Sequence, residues 1–235
     1  MASSPTGLIS SVRFLNTTRY KPPMLYTLIR YTITPIAKAL FRVKILGRHN
    51  LPKQKVYILA SNHNDNIDPV ILSMLTHRKI CFLGHHYLVL PPSKIRLILK
   101  HIKKELVLIE KGKGKSQPAI DLAVERLKQG YLFGIFPEGT TRGKEKLLSA
   151  HRGVARIALK ARCPVIPVAI IGTTNIYARG NELLPTKLPK VIVNIGSPLS
   201  LKRYYGKEND RKITKQLANQ VMAQIKKLYY QHHKK

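Results

Sequence analysis

Six short apolar runs, many of them separated by helical patterns, restrict the fold of this sequence more than any other feature. The length and composition of the runs are typical of buried strands, and they lie at residues 56–60, 79–83, 106–110, 131–136, 165–171 and 190–196. The helical patterns lie at residues 69–77, 93–103, 116–129, 149–162 and 209–231. Strands that alternate with helices usually pair in parallel through right-handed crossovers. The sequence therefore predicts an α/β fold with a mostly parallel sheet flanked by helices.

Residues 24–43 carry a helical apolar pattern that falls short of a membrane span. Apolar side chains recur there at three- and four-residue steps, but Arg30, Lys38 and Arg42 interrupt the run. A span needs about 20 mainly apolar residues, and Pro35 should break or kink the helix. We predict a bent amphipathic helical segment that lies in the membrane interface. The alternative is an ordinary helix that faces the protein core.

The sequence predicts two regions with different roles. We predict that residues 1–44 form a poorly ordered start followed by membrane-associating helices, and that residues 45–235 form the α/β domain. Residues 1–21 are rich in Ser and Thr, contain Arg and lack acidic residues. These are features of organelle transit peptides, but acidic residues are scarce throughout the chain, so the targeting signal is weak.

The chain is strongly basic, with 42 Lys and Arg residues against 11 Asp and Glu residues and a net charge of +31. Every Asp or Glu comes at or after Asp65. Such a charge attracts nucleic acid, anionic lipid or phosphorylated substrates. The acid-free start beside an amphipathic pattern favours an anionic phospholipid membrane, approached from its cytoplasmic side, over nucleic acid. A non-enzymatic basic protein that binds nucleic acid or membrane is the alternative from a different functional class.

The two cysteines, Cys81 and Cys163, both lie in apolar stretches. Two cysteines do not make a disulfide framework, and their spacing is not that of a metal site. The sequence predicts two buried, reduced thiols and gives no reason to expect a metal ion.

A histidine and an aspartate follow the first apolar run. His63 ends the predicted strand, and Pro69 suits the first turn of a helix, which would place Asp68 at the N-cap. A tight loop between them can bring the carboxylate to one imidazole nitrogen, so that the other nitrogen accepts a proton from a substrate hydroxyl. The alternative is that Asp68 only caps the helix and His63 is a polar loop residue. The position of the pair at the carboxyl end of a strand favours catalysis.

A second polar segment, residues 136–143, follows another apolar run. Its glycines and threonines allow a ligand to approach the backbone, and Arg142 offers a planar pair of donors for phosphate. Glu138 is unusual in a loop suited to anions, and its carboxylate would bind a hydroxyl or hold the arginine. The alternative is a plain Pro-Glu-Gly turn. In a parallel sheet, both polar segments lie at the same carboxyl edge and face one cleft.

These residues resemble the glycerolipid acyltransferase family that includes the 1-acylglycerol-3-phosphate acyltransferases. The first motif of the family, Asn-His, four residues and Asp, corresponds to Asn62, His63 and Asp68. Its third motif, Phe-Pro-Glu-Gly-Thr, corresponds to residues 136–140, and its fourth, an apolar run around a proline, resembles residues 165–168. The intervals between the motifs also match, and the resemblance covers roughly residues 25–200.

The resemblance implies a reaction and a role for each residue. His63 would be the general base on the acceptor hydroxyl, and Asp68 would orient it. The acceptor would be lysophosphatidate, and the donor an acyl thioester of coenzyme A or acyl carrier protein, with no resident cofactor. The residues expected to bind substrate are Lys111, Glu138, Gly139, Thr140, Arg142 and Pro167.

Two departures from the family pattern concern the acceptor. The second motif usually ends in arginine, whereas this chain has Lys111, which binds phosphate as a point charge. The third motif usually has arginine directly after the threonine, whereas Thr141 intervenes here and Arg142 follows. Neither departure touches His63 or Asp68. The reaction class therefore follows more firmly than the acceptor, and another lysophospholipid acceptor is the alternative.

Overall fold

A computed structural model describes Met24, residues 31, 32, 34, 35, 38 and 39, and then residues 41–65, 67–83, 108–109, 116–140, 147–174 and 190–232. In this part of the chain one sheet contains seven strands. The strands are β1 (Lys44–Leu46), β2 (Ile58–Ser61), β3 (Ile80–Leu83), β4 (Leu108–Ile109), β5 (Leu132–Ile135), β6 (Val165–Ile171) and β7 (Ile192–Ile195). The helices are α1 (Asp68–Ser73), α2 (Ser116–Lys128), α3 (Gly153–Ala161) and α4 (Arg211–Tyr230).

The sheet order is β1-β7-β6-β2-β5-β3-β4. All neighbours pair in parallel except β6 and β7, so β1 and β7 run opposite to the other five strands. The predicted mostly parallel α/β sheet is confirmed. The prediction missed β1, which is only three residues long. It also missed the antiparallel β6–β7 pair, because an apolar run has the same composition in either direction.

Buried side chains cover both faces of the sheet, because successive residues of a strand point to opposite sides. In β2, Ile58 and Ala60 belong to the core cluster that contains the buried faces of α2, α3 and α4, whereas Leu59 belongs to the cluster around α1. All seven residues of β6 are buried. This two-sided burial explains why the strands read as continuous apolar runs without alternation.

The helix over 149–162 begins later than predicted, at Gly153. Two backbone amides just before Gly153 bond to the segment after β5. The Leu148 N–H donates to the Glu138 carboxylate, and the His151 N–H donates to the Pro137 carbonyl oxygen. Residues 147–151 therefore run alongside the segment after β5 and remain outside the helix. The helix predicted at 93–103 lies outside the described residues.

Most of the predicted amphipathic segment over 24–43 also lies outside the described residues, and those described between 31 and 39 are helical. Tyr31 is exposed and its ring lies 5.9 Å from that of His77, whereas Phe41 is buried in the core. Phe41 and Lys44 form backbone hydrogen bonds with Val191, next to β7. In the described part of the chain, no helix combines the length and the apolar character needed to cross a membrane.

The two cysteines are free and buried, as predicted. Burial raises the pKa of the Cys81 thiol to about 11 and that of Cys163 to about 12. Both thiols are therefore protonated and unreactive at neutral pH.

Close packing at Gly134 gives a test of this core. A Cβ atom at this β5 position would overlap the buried ring of Phe82, whereas a Cβ on Gly153 has nothing closer than 4.0 Å. We expect Gly134→Ala to lower the free energy of unfolding in urea by about 1–3 kcal/mol, as overpacking does. Gly153→Ala, the matched control, should leave it unchanged or raise it by up to about 1 kcal/mol, since alanine favours the helix. Equal stability of the two variants would contradict the close packing at Phe82.

Candidate active site

The loop after β2 is attached to the neighbouring strand by a buried amide. The side chain of Asn62 donates from Nδ2 to the Ile170 carbonyl oxygen and accepts at Oδ1 from the Ile170 N–H, both at 2.8 Å. Both hydrogen bonds are buried, so replacing Asn62 would leave the N–H and the carbonyl oxygen of Ile170 without these hydrogen bonds. The pair fixes where the chain leaves the carboxyl end of β2, one residue before His63.

The carboxylate of Asp68 then closes the loop. Its Oδ2 atom lies 3.0 Å from His63 Nδ1 and accepts from the backbone N–H groups of Asn64, at 2.7 Å, and Asp65, at 2.9 Å. Asp68 is fully buried. Because Oδ2 accepts from two amides, the proton of the third contact belongs to His63 Nδ1. The other ring nitrogen, Nε2, then carries a lone pair and can accept a proton.

The prediction that Asp68 is the N-cap of the following helix is wrong. Ile67 occupies the N-cap and makes no side-chain capping bond. Asp68 is the first helical residue, and Pro69 follows it in the first turn. The carboxylate points back into the loop because two loop amides and the imidazole converge there. An N-cap side chain would instead accept from the amides two or three residues further on.

An aromatic ring packs against one face of the His63 imidazole. The Phe136 ring stacks on His63 with 3.9 Å between centroids and 14° between planes. Phe82 continues the stack, with its centroid 6.1 Å from that of Phe136. The His63 side chain is 16% exposed, so part of the imidazole remains open to solvent. The ring is therefore held by a hydrogen bond at Nδ1 and by packing on one face.

Glu138 lies next to the same loop. β5 pairs in parallel with β2, so the segment after β5 reaches the sheet edge beside His63. Glu138 Oε1 accepts from the His63 N–H at 3.2 Å, and Oε2 accepts from the Leu148 N–H at 2.7 Å. The structure thus brings His63, Asp68 and Glu138 together at one carboxyl edge, as the parallel sheet predicted.

The other predicted substrate-binding residues have different surroundings. Gly139 has a φ of 71°, a left-handed conformation that suits glycine, and Thr140 beside it is exposed. Pro167 lies inside β6, where its carbonyl oxygen accepts from the Gly196 N–H at 2.9 Å. Pro167 therefore serves sheet packing in the contacts that the structure describes. Lys111 and Arg142 lie outside the described residues.

Two residues that shape the site have no role that the sequence predicts. Asn62 was recognised only as part of a motif, although an amide directly after a buried strand could have suggested a bond to a neighbouring strand. Phe136 ends a predicted strand and begins the third motif, but nothing in the sequence places its ring on His63. In the part of the chain described, no three His, Cys, Asp or Glu side chains form a group that could hold a metal ion.

Comparison with known proteins places this site in a family. The acyltransferase family profile matches residues 42–171. The 1-acyl-sn-glycerol-3-phosphate acyltransferase of Borreliella burgdorferi is 25% identical over 139 residues, which are 59% of this chain and 54% of that protein. The protein of the same name from Bacillus subtilis is 27% identical over 158 residues, 67% of this chain and 73% of that protein.

The fold is similar to that of a solved structure, the 1-acyl-sn-glycerophosphate (LPA) acyltransferase PlsC from Thermotoga maritima. The TM-score is 0.57 at 25% identity, covering 86% of this chain and 82% of the other. The chain spans about half the length of several curated relatives, including 48% of the mouse 1-acyl-sn-glycerol-3-phosphate acyltransferase alpha. Because the family profile matches more than half of the chain and includes the His63–Asp68 loop and residues 136–140, this chain belongs to the acyltransferase family.

Proposed function

We propose that this protein transfers a fatty acyl group from an acyl thioester to the hydroxyl of lysophosphatidate, 1-acyl-sn-glycerol 3-phosphate, in phospholipid biosynthesis. The observation that carries the proposal is the contact between His63 Nδ1 and the buried Asp68 carboxylate, which leaves Nε2 of a partly exposed imidazole free to act as a base. The names of the relatives supply the acceptor and the reaction class.

The reaction needs one base and no enzyme nucleophile. His63 Nε2 removes the proton of the acceptor hydroxyl as its oxygen attacks the thioester carbonyl carbon. Asp68 stabilises the imidazolium that forms, because its carboxylate already accepts from Nδ1. The tetrahedral intermediate then collapses, the carbon–sulfur bond breaks, and the leaving thiolate takes from His63 Nε2 the proton that came from the acceptor hydroxyl. The products are an ester and a free thiol on coenzyme A or acyl carrier protein.

Acceptor recognition is proposed for the segment after β5 together with two cations. Lys111 and Arg142 stand at or next to the positions where the family has phosphate-binding arginines. Gly139 and Thr140 are exposed directly after Glu138. Lys111 stands where the family has arginine, and Arg142 is shifted by one position. These departures favour a second candidate function, in which the acceptor is another lysophospholipid.

The enzyme is proposed to work as a peripheral protein on the cytoplasmic side of an anionic membrane. The support is the acid-free basic start of the chain and the exposure of Met24 and Tyr31. Each Lys or Arg near an anionic bilayer contributes about 1 kcal/mol to binding, and apolar side chains in the interface add to this.

Replacement of His63 tests the mechanism. We expect His63→Ala to lower kcat by about 10²–10⁴-fold with the circular dichroism spectrum unchanged, because a positioned base is lost. The assay would combine a panel of lysolipids with acyl-coenzyme A and acyl carrier protein thioesters. His49→Ala is the matched control, because His49 is exposed in the turn after β1. β1 runs opposite to β2, so this turn lies at the edge of the sheet away from His63. Turnover near the wild-type rate in folded His63→Ala would exclude the mechanism.

Replacement of Arg142 tests the acceptor. A charge-assisted contact to phosphate is worth about 1.5–3 kcal/mol, so Arg142→Ala should raise the KM of lysophosphatidate about tenfold or more. The KM of the thioester should change little, and Lys111→Arg should keep the activity because the charge is kept. The control is Arg48→Ala, an exposed arginine at the opposite edge of the sheet. An effect confined to the thioester would mean that Arg142 binds the donor.

Truncation tests the membrane contact. A variant lacking residues 1–40 keeps buried Phe41 and all of β1, so its domain should fold. We expect it to float less with vesicles containing phosphatidylserine than the full chain does, and we expect added salt to weaken flotation of the full chain. Flotation that truncation leaves unchanged would contradict interfacial binding by this segment. Resistance of the full chain to both salt and carbonate would indicate a membrane span instead.

A further inference from the structure

Each oxygen of the Glu138 carboxylate accepts a hydrogen bond from a backbone amide. Oε1 accepts from the backbone N–H of His63 at 3.2 Å, and Oε2 accepts from that of Leu148 at 2.7 Å. The residue is 6% exposed, so little of it faces solvent. The first motif, the third motif and the segment that leads into α3 meet at this one side chain.

The backbone around Glu138 is fixed as well. The Gly139 N–H donates to the Phe136 carbonyl oxygen at 3.0 Å, which closes a turn around residue 138. The His151 N–H donates to the Pro137 carbonyl oxygen at 2.8 Å. A side chain that projects from a fixed turn can hold its partners in place, because it does not move with them.

His63 has three anchors, and residues 136–138 supply two of them. Asp68 holds Nδ1, the Phe136 ring packs on the imidazole face, and Glu138 holds the backbone N–H. The hydrogen bond from Glu138 fixes the position of the His63 backbone. The contacts with Asp68 and Phe136 fix the orientation of the imidazole ring. Loss of the backbone anchor would let the whole imidazole shift, and a displacement of about 1 Å can lower a rate about 10²-fold.

The two backbone contacts favour a structural role for Glu138 over a direct contact with the substrate. An acceptor hydroxyl would have to share the buried carboxylate with the two N–H donors that it already binds. The same carboxylate next to two N–H donors is favourable, because hydrogen bonds to a charged acceptor are among the stronger ones in proteins.

We propose that Glu138 is a positioning residue, which holds the backbone of His63 against residues 147–150, and that it does not bind the acceptor's hydroxyl. This inference deepens the proposed function and depends on it only for its kinetic test. It replaces the expectation from the sequence that Glu138 contacts the substrate.

Amide hydrogen exchange of the ligand-free wild-type protein tests the positioning role without an activity assay. We expect the His63 and Leu148 amides to be protected before any substrate is added, and adding lysophosphatidate should change their protection by less than about twofold. Protection of the two amides that appears only with lysophosphatidate would overturn the proposal. This measurement stands even if the protein acylates a different acceptor.

Kinetics of Glu138→Gln provide the second arm. A glutamine side chain has one acceptor oxygen, so it can satisfy only one of the two amides. We expect kcat to fall about 10²-fold, while the KM of lysophosphatidate stays within about twofold, and protection of one of the two amides should be lost. The matched control is Glu125→Gln, an exposed glutamate of α2 that bonds Gln129 on the surface, and it should behave as wild type.

The opposite kinetic pattern would identify a substrate ligand. A KM for lysophosphatidate raised tenfold or more in Glu138→Gln, with kcat and both amides unchanged, would overturn the positioning role. If the variant does not fold, the exchange measurement on the wild-type protein still decides between the two roles.

Discussion

One carboxylate oxygen determines the shape of the site. Oδ2 of Asp68 accepts from the imidazole of His63 and from the backbone amides of Asn64 and Asp65. The loop is largely buried, and leaving a buried backbone amide unpaired costs about 1–3 kcal/mol. The three hydrogen bonds therefore stabilise one conformation of the loop. In that conformation His63 carries its proton on Nδ1, and Nε2 can accept a proton.

The sheet order provides the second constraint. β2 lies between β6 and β5, so the loop after β2 is bordered on one side by the strand that Asn62 binds and on the other by the segment that carries Phe136 and Glu138. Parallel pairing brings the carboxyl ends of β2 and β5 to the same edge. Residues about 75 positions apart in the sequence thereby come within hydrogen-bonding distance.

Three of the scarce acidic residues are used inside the protein. Asp65, Asp68 and Glu138 are all buried, although the chain has only 11 acidic residues. Asp68 and Glu138 both accept from backbone amides of the site, and Asp65 Oδ1 accepts from the Ile67 N–H at 3.1 Å. With 42 Lys and Arg residues against 11 Asp and Glu residues, the surface has a large excess of positive charge. This excess suits a protein proposed to act on phosphorylated lipids at an anionic membrane.

Much of the fold and part of the site follow from local pattern. The strands β3, β4, β5, β6 and β7 lie within predicted apolar runs, and β2 extends one residue beyond its run. Strands buried on both faces give a continuous apolar pattern that can be recognised without knowing their partners. The start of α3 could not be predicted, because the amides of Leu148 and His151 bond to groups ten or more residues away. The N-cap assignment of Asp68 failed for a related reason, since the same carboxylate can bond forward into a helix or back into a loop.

The sequence by itself determined the α/β class, the strand-end position of His63, the spacing that lets Asp68 reach its ring, and the resemblance to acyltransferases. These depend on residues within a few positions of one another, or on motifs whose order can be read directly. Only the tertiary structure decided that Phe136 stacks on His63, that Asn62 binds β6 and that both oxygens of Glu138 hold backbone amides. Those contacts depend on which strands are neighbours and in which direction they run, and side chains far apart in a sequence carry no record of that choice.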